Sequence, residues 1–185
     1  MRSFLKGGIV FIVVLLFGVL SSNAQISVST KAGSKAPALG SKCAKNGLTD
    51  AEITGLLASH NNARTVVKTP LLVWDCKLAD MAQRWAAKGV AAHRPDPMYG
   101  ENIFVASNPA IEVDSVLKRW MAEQPNWTNA TGTCAAGKVC THYTQVIWKS
   151  TTHVGCGINR NATGKWKVLL VCNYDPQGNT GGPAF

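Results

Sequence analysis

Apolar positions recur along this chain in blocks of changing period, and each block predicts an element. Residues 9–20 are almost unbroken apolar, whereas residues 25–42 are rich in Ser, Ala, Gly and Lys with one Pro. From Ile53 the period is helical. Ile53, Leu56, Leu57, His60, Ala63 and Val67 follow the capping-box pattern Thr49-Asp50-Ala51-Glu52 and stop before Pro70. His60 falls on that apolar stripe and reads as a structural imidazole. Arg64, one turn on, is expected to meet a carboxylate or backbone carbonyls. Leu71-Leu72-Val73-Trp74 is a short extended run. Asp75 then caps a second helix with Leu78, Met81, Ala82, Trp85 and Ala86 on one face. Gly89 weakens its end, and Pro95 and Pro97 prevent its continuation.

Residues 92–104 read as a loop with apolar residues only at its end. Asn108-Pro109 opens a third helix, with Ile111, Val116, Leu117, Trp120 and Met121 as its buried stripe and Pro125 as its stop. Residues 126–140 form a loop rich in Gly, Thr and Asn. Residues 153–160 and 165–174 read as two strands joined by Asn161-Ala162-Thr163-Gly164, and coil follows from Pro176. Helices preceding a hairpin predict an α+β class, with helices packed on an antiparallel sheet.

A chain of 185 residues suits one domain plus a leader. Arg2 and Lys6, the apolar run and Ser22-Asn23-Ala24 together form a secretory signal over residues 1–24. The run is shorter than the about 20 residues of a bilayer span, which favours a cleaved leader over an uncleaved anchor. The expected product is soluble and secreted. It has a flexible segment over 25–42, a folded domain over 43–179 and a tail over 180–185.

In an oxidising compartment the six cysteines predict three disulfides, for which fifteen pairings are formally possible. Cys134 and Cys140 bracket a short loop, and Cys156 and Cys172 sit on the two adjacent strand-like runs, which leaves Cys43 with Cys76. No C-x-x-C pair occurs, so a zinc–cysteine site is not expected. Asn126, Asn129 and Asn161 each open an N-x-T sequon in a predicted loop, and at least one glycan is expected.

The formal charge is +9, of which Arg2 and Lys6 account for two, leaving +7 on the mature chain. Such a balance favours anionic surfaces such as cell walls or membranes. The basic residues are scattered rather than striped, so nucleic acid is not an expected partner. A monomer is expected.

The densest chemistry lies in Cys140-Thr141-His142-Tyr143-Thr144-Gln145-Val146-Ile147-Trp148, where an imidazole has polar and aromatic neighbours. Glu123 is placed in the last turn of the third helix. A carboxylate there opposes the dipole by roughly a few tenths of a kcal/mol, so a cation or donor is expected to hold it.

These motifs, with His60-Asn61-x-x-Arg64, Leu72-Val73-Trp74-Asp75, Gly100-Glu101-Asn102-Ile103, Val154-Gly155-Cys156-Gly157 and Cys172-Asn173-Tyr174-Asp175-Pro176-Gln177-Gly178-Asn179, come in order. The chain thereby resembles the CAP superfamily: cysteine-rich secretory proteins, insect venom antigen 5 and plant pathogenesis-related protein 1. The resemblance implies an α-β-α sandwich whose central cleft is lined by His93, Glu101, Glu123 and His142. Two imidazoles on separate segments can bind Zn²⁺, with the glutamates as ligands or as partners of a bound water. The competing reading is a hydrogen-bonded polar cluster that stabilises the sandwich. The same residues also allow a metal-dependent hydrolase, although neither an H-E-x-x-H nor a G-x-S-x-G motif is present.

The resemblance further implies a non-enzymatic role in defence and the binding of a sterol or other lipid through residues 125–139, where Trp127 is the large aromatic. It also implies release of residues 176–185 as a signalling peptide by a cut after Asp175. In two respects the chain departs from plant members. It lacks the cysteines they carry shortly before the position of His93 and just after that of Cys156, and it has Cys43 and Cys76 instead.

Overall fold

A computed structural model describes Cys43, residues 47–95 and residues 98–185. The expected leader and the whole of the expected flexible segment, residues 25–42, lie outside these described residues. Helix α1 (Asp50–Val66) starts at the predicted box: the Thr49 hydroxyl accepts from the Glu52 amide, and the Glu52 carboxylate accepts from the Thr49 amide. A two-residue strand β1 (Val73–Trp74) leads to α2 (Cys76–Ala87), capped by Asp75 through the Leu78 amide. Strand β2 (Gly100–Ala106) and helix α3 (Asp114–Met121) come next. They are followed by a 3₁₀ turn (Gln124–Asn126) and the short pair β3 (Trp127–Thr128) and β4 (Thr133–Cys134). The chain closes with α4 (Thr141–Ile147), β5 (His153–Asn159) and β6 (Val168–Asp175).

The main sheet has the order β1-β5-β6-β2, antiparallel except for the short parallel pairing of β1 with β5. Strand β6 shows why two helical layers are needed. Val168, Leu170, Cys172 and Tyr174 join the core that holds α1, α3 and α4, while Leu169 and Val171 pack with Ala82 and Ala86 of α2. A strand covered on both faces reads as a continuous apolar run. Helix α2 lies so close to β5 that a Cβ on Gly155 would come within 2.3 Å of the Ala79 nitrogen, and one on Gly157 within 2.4 Å of the Gln83 nitrogen. Only glycine permits that approach. The result is an α-β-α sandwich, and the disulfides are Cys43–Cys76, Cys134–Cys140 and Cys156–Cys172, as the spacing predicts.

The structure differs from the pattern in four places, one of them residues 126–140, expected as loop, where β3 and β4 pair. Residues 100–106, expected as the end of a loop, pair along their whole length with β6. The alternation is hidden because the position facing the helices is taken by Asn102, buried and bonded to the His142 carbonyl and the Tyr174 hydroxyl. The third helix starts at Asp114, not at Asn108, because the Asn108 side chain bonds the Ala110 amide in a local turn. The second hairpin strand starts at Val168, so Lys165 and Lys167 lie ahead of it. The last residues are coil, as expected, yet they pack on the domain: Ala184 is fully buried within the core.

His60 is structural, as its position on the stripe predicts. Its Nδ1 donates to the Leu56 carbonyl at 2.7 Å, and its Nε2 accepts from the Tyr174 hydroxyl at 2.9 Å. The Asn102 amide in turn donates to that hydroxyl, so the chain of bonds is satisfied with a neutral ring. Burial is the main cause that pushes the His60 pKa down to about 4; the Leu56 carbonyl opposes it and Arg64 adds to it. A depressed histidine pKa means the unfolded chain binds the proton more readily, so stability falls as pH drops from 6.5 towards 4. The loss expected from this residue is about 3 kcal/mol. Urea unfolding of the parent and of His60→Gln at several pH values checks it: the parent loses stability through that window, and the variant shows a flatter profile.

Candidate functional site

Four side chains singled out in the sequence assemble as two imidazole–carboxylate pairs. In the loop before β2, His93 Nδ1 lies 2.9 Å from Glu101 Oε1. At the start of α4, His142 Nδ1 lies 2.6 Å from Glu123 Oε1. A carboxylate only accepts, so each contact places the proton on Nδ1 and, in the neutral ring, leaves the Nε2 lone pair available. The glutamates stand behind the histidines, as orienting partners. Asn102, adjacent to Glu101, ties the two segments together through the His142 carbonyl.

The position of Glu123 reverses its expected electrostatics. Helix α3 ends at Met121, so Glu123 lies beyond the last turn. Its Oε2 accepts the amides of His142 and Tyr143 at 3.0 and 3.1 Å. The carboxylate therefore sits on the positive end of α4 and stabilises it, where the pattern placed it against the dipole of α3. His142 is also stacked on Trp120, with centroids 5.9 Å apart and planes 2° from parallel.

Glu101 is held as tightly, with a side chain only 6% exposed. Its Oε1 accepts from His93 and from the Arg94 amide, and its Oε2 accepts from Arg94 Nε at 3.1 Å. Sequence reasoning missed Arg94. Its signal was a lone cation beside His93, obscured by the two prolines that separate it from Glu101. A cavity of about 310 Å³ opens here, with His93, Arg94, Tyr99, Glu101, Gln145 and Gln177 in its lining. Gln145, 2% exposed, accepts the Gly178 amide and shapes its floor. Glu123 and His142 do not line this cavity.

Two ring nitrogens suit Zn²⁺ in chemistry, with carboxylates already in the orienting role that zinc histidines use. Among the described residues, no three His, Cys, Asp or Glu side chains cluster as a metal-binding group. Any metal here would rest on the two imidazoles.

Trp127 lies in β3, half-buried, packed against the main core. Its indole N–H donates to Asn129 Oδ1 at 3.2 Å, so its contribution to any ligand is its apolar face. A second cavity, about 190 Å³, is lined by Trp127, Trp148, the Cys134–Cys140 disulfide residues and Gly132, Gly181 and Gly182. Of the three sequons, Asn161 is exposed, while Asn126 and Asn129 are half-buried. Among the described residues no helix is long and apolar enough to cross a membrane.

The sandwich with two imidazole–carboxylate pairs across its helix and loop layers defines a class of protein. The family profile of the cysteine-rich secretory protein family, CAP, matches residues 57–174, and the chain belongs to that family. Among curated relatives, it is 37% identical over 128 residues to a pathogenesis-related protein of the PR-1 type from Sambucus nigra, covering 67% of this chain and 75% of that one. It is 40% identical over 134 residues to pathogenesis-related protein PRMS from Zea mays, covering 68% and 77%. Its fold is similar to that of BmVAL-1, with a TM-score of 0.67 at 25% identity over 78% of this chain and 86% of that one. It is also similar to NaASP2 crystallised with Zn²⁺, with a TM-score of 0.66 at 23% identity over 78% and 90%.

Proposed function

We propose that this chain is a secreted CAP protein of the defence-related type that binds a sterol or similar lipid at its 125–139 loop. The observation that carries the reading is the cavity lined by Trp127, Trp148 and both cysteines of the Cys134–Cys140 bridge. Rigid aromatic side chains in such a lining suit a flat ring system. The expected leader supplies secretion, and the positive balance favours contact with anionic cell-wall or membrane surfaces. The direct test is sterol titration of the parent and of Trp127→Ala, with His142→Ala as the control.

The histidine pairs are a separate element that Zn²⁺ would use. His93 and His142 would hold the ion through Nε2, and Glu101 and Glu123 would fix their rings. The expected result is that His93→Ala or His142→Ala abolishes stoichiometric zinc uptake near neutral pH. Glu123→Gln is expected to weaken it by about 10–100-fold, the usual effect of losing an orienting partner. Acidification through the histidine range releases the metal. Equilibrium dialysis with metal analysis reads all three, and an unchanged titration in the double histidine variant would move the site elsewhere.

A hydrolase built on this cleft would need a carboxylate free to take a proton from water. Both candidates are already engaged, Glu101 by His93 and Arg94 and Glu123 by His142 and two amides. This supports a binding role over a catalytic one.

A further inference from the structure

Gly181 and Gly182, close to the C-terminal end, roof part of the Trp127–Trp148 cavity. A Cβ on Gly132 would lie 2.4 Å from the Gly182 carbonyl carbon, so the loop and this segment touch backbone to backbone. Ala184 beside them is fully buried and accepts the Lys149 amide at 2.8 Å. At about 190 Å³ the cavity is smaller than the about 300–1,000 Å³ of ordinary small-molecule sites. A ligand the size of a sterol needs the roof moved.

Gln145 holds Gly178 and Asn179 is bonded to Thr141 and Thr144, so residues 178–179 are anchored on α4; beyond them, one side chain grips the last two residues. Asn129 Oδ1 accepts the amides of Ala184 and Phe185 at 2.8 and 3.3 Å, and its Nδ2 donates to the Phe185 carbonyl at 2.5 Å. The same Oδ1 accepts the Trp127 indole N–H, so one amide grips both the roof and the wall. Asn129 is also the acceptor of the sequon Asn129-Ala130-Thr131.

These two roles compete for one edge of the amide. Oδ1 and Nδ2 meet the N–H and C=O of a single residue, Phe185, which uses the edge that carries both atoms. In a planar secondary amide the trans form places the new substituent on the oxygen side, and the cis alternative is about 2.5 kcal/mol less stable. A sugar on Nδ2 therefore projects where the Phe185 carbonyl sits. Glycan addition to the unfolded chain would set this state before the segment docks.

We propose that Asn129 is a modification-controlled latch: free, its amide holds residues 181–185 against the Trp127–Trp148 cavity, and an N-linked glycan on it releases that strap and widens the cavity for an apolar ligand. The proposal rests on reading this cavity as the lipid site, and the test separates the two. The parent and Thr131→Val, which abolishes this sequon and keeps Asn129, are secreted from one glycosylating host, and Asn129→Ala is added as an unlatched form. Amide exchange at Lys149 reads the strap, and binding of the uncharged dye N-phenyl-1-naphthylamine reads the cavity.

Lys149 is expected to stay protected in Thr131→Val and to exchange at least tenfold faster in the glycosylated parent fraction and in Asn129→Ala. Dye affinity is expected to rise at least threefold in the two opened forms. A glycan on Asn129 with Lys149 still protected would overturn the latch, and a released strap with unchanged dye binding would overturn the gate. Dye gained without any sterol binding would leave latch and gate standing and refute the lipid reading alone.

Discussion

Replacing Arg64 with methionine is expected to destabilise the fold by more than about 4 kcal/mol, a large part of the about 5–15 kcal/mol that holds an ordinary domain. The guanidinium is completely buried and donates to four carbonyls: Pro70, Val146, Trp148 and Thr151. Removing it strands those acceptors, and each buried unsatisfied carbonyl carries a penalty of about 1–3 kcal/mol. Burial lowers the Arg64 pKa to about 10, so the charge persists at neutral pH and polarises every one of these bonds. Two of the carbonyls, Val146 and Trp148, belong to the C-terminal end of α4. Arg64 thus caps from α1 the helix that Glu123 caps from the other end. Lysine, a point charge without the planar fork, is expected to recover only part of the loss. Denaturant unfolding decides it: a loss below about 1 kcal/mol in Arg64→Met would show that water or rearrangement satisfies the carbonyls.

That double cap also explains which parts of the fold could be read ahead of the structure. Helices α1 and α2 were legible because their signals are local: Thr49 with Glu52, Asp75, and apolar residues at helical spacing. Helix α4 was not, because its seven residues include Thr, Val and Ile, weak helix formers, and its stabilising groups come from residues far away in sequence. Strand β2 was hidden by a buried asparagine at an inward position. The pairings within the candidate site were not legible in the sequence. The resemblance implies one cleft lined by His93, Glu101, Glu123 and His142, while the pairing of each histidine with one glutamate, and the grip of Arg94 on Glu101, depend on three-dimensional placement. The glycine-rich end likewise reads as free coil, because its partners Asn129, Gly132 and Lys149 all lie far earlier in the sequence.

Ligand recognition is expected to belong to the indole cavity and not to the histidine pairs. Trp127 both packs on the core and lines the cavity, so truncating it is expected to remove ligand contact. Apolar area buried against a ring system contributes about 25 cal/mol per Å², enough for micromolar affinity after the entropic losses of association. His142 is held by Glu123 and Trp120 and does not line that cavity. Trp127→Phe keeps an aromatic face on the core and guards against a loss that merely reports unfolding. The deciding measurement is a fluorescent-sterol titration of the parent, Trp127→Ala, Trp127→Phe and His142→Ala. The account predicts a micromolar Kd for the parent, weakening of at least about tenfold, or 1.4 kcal/mol, in Trp127→Ala, partial retention in Trp127→Phe, and little change in His142→Ala. Equal affinity in the parent and Trp127→Ala, or loss of binding in His142→Ala alone, would contradict it.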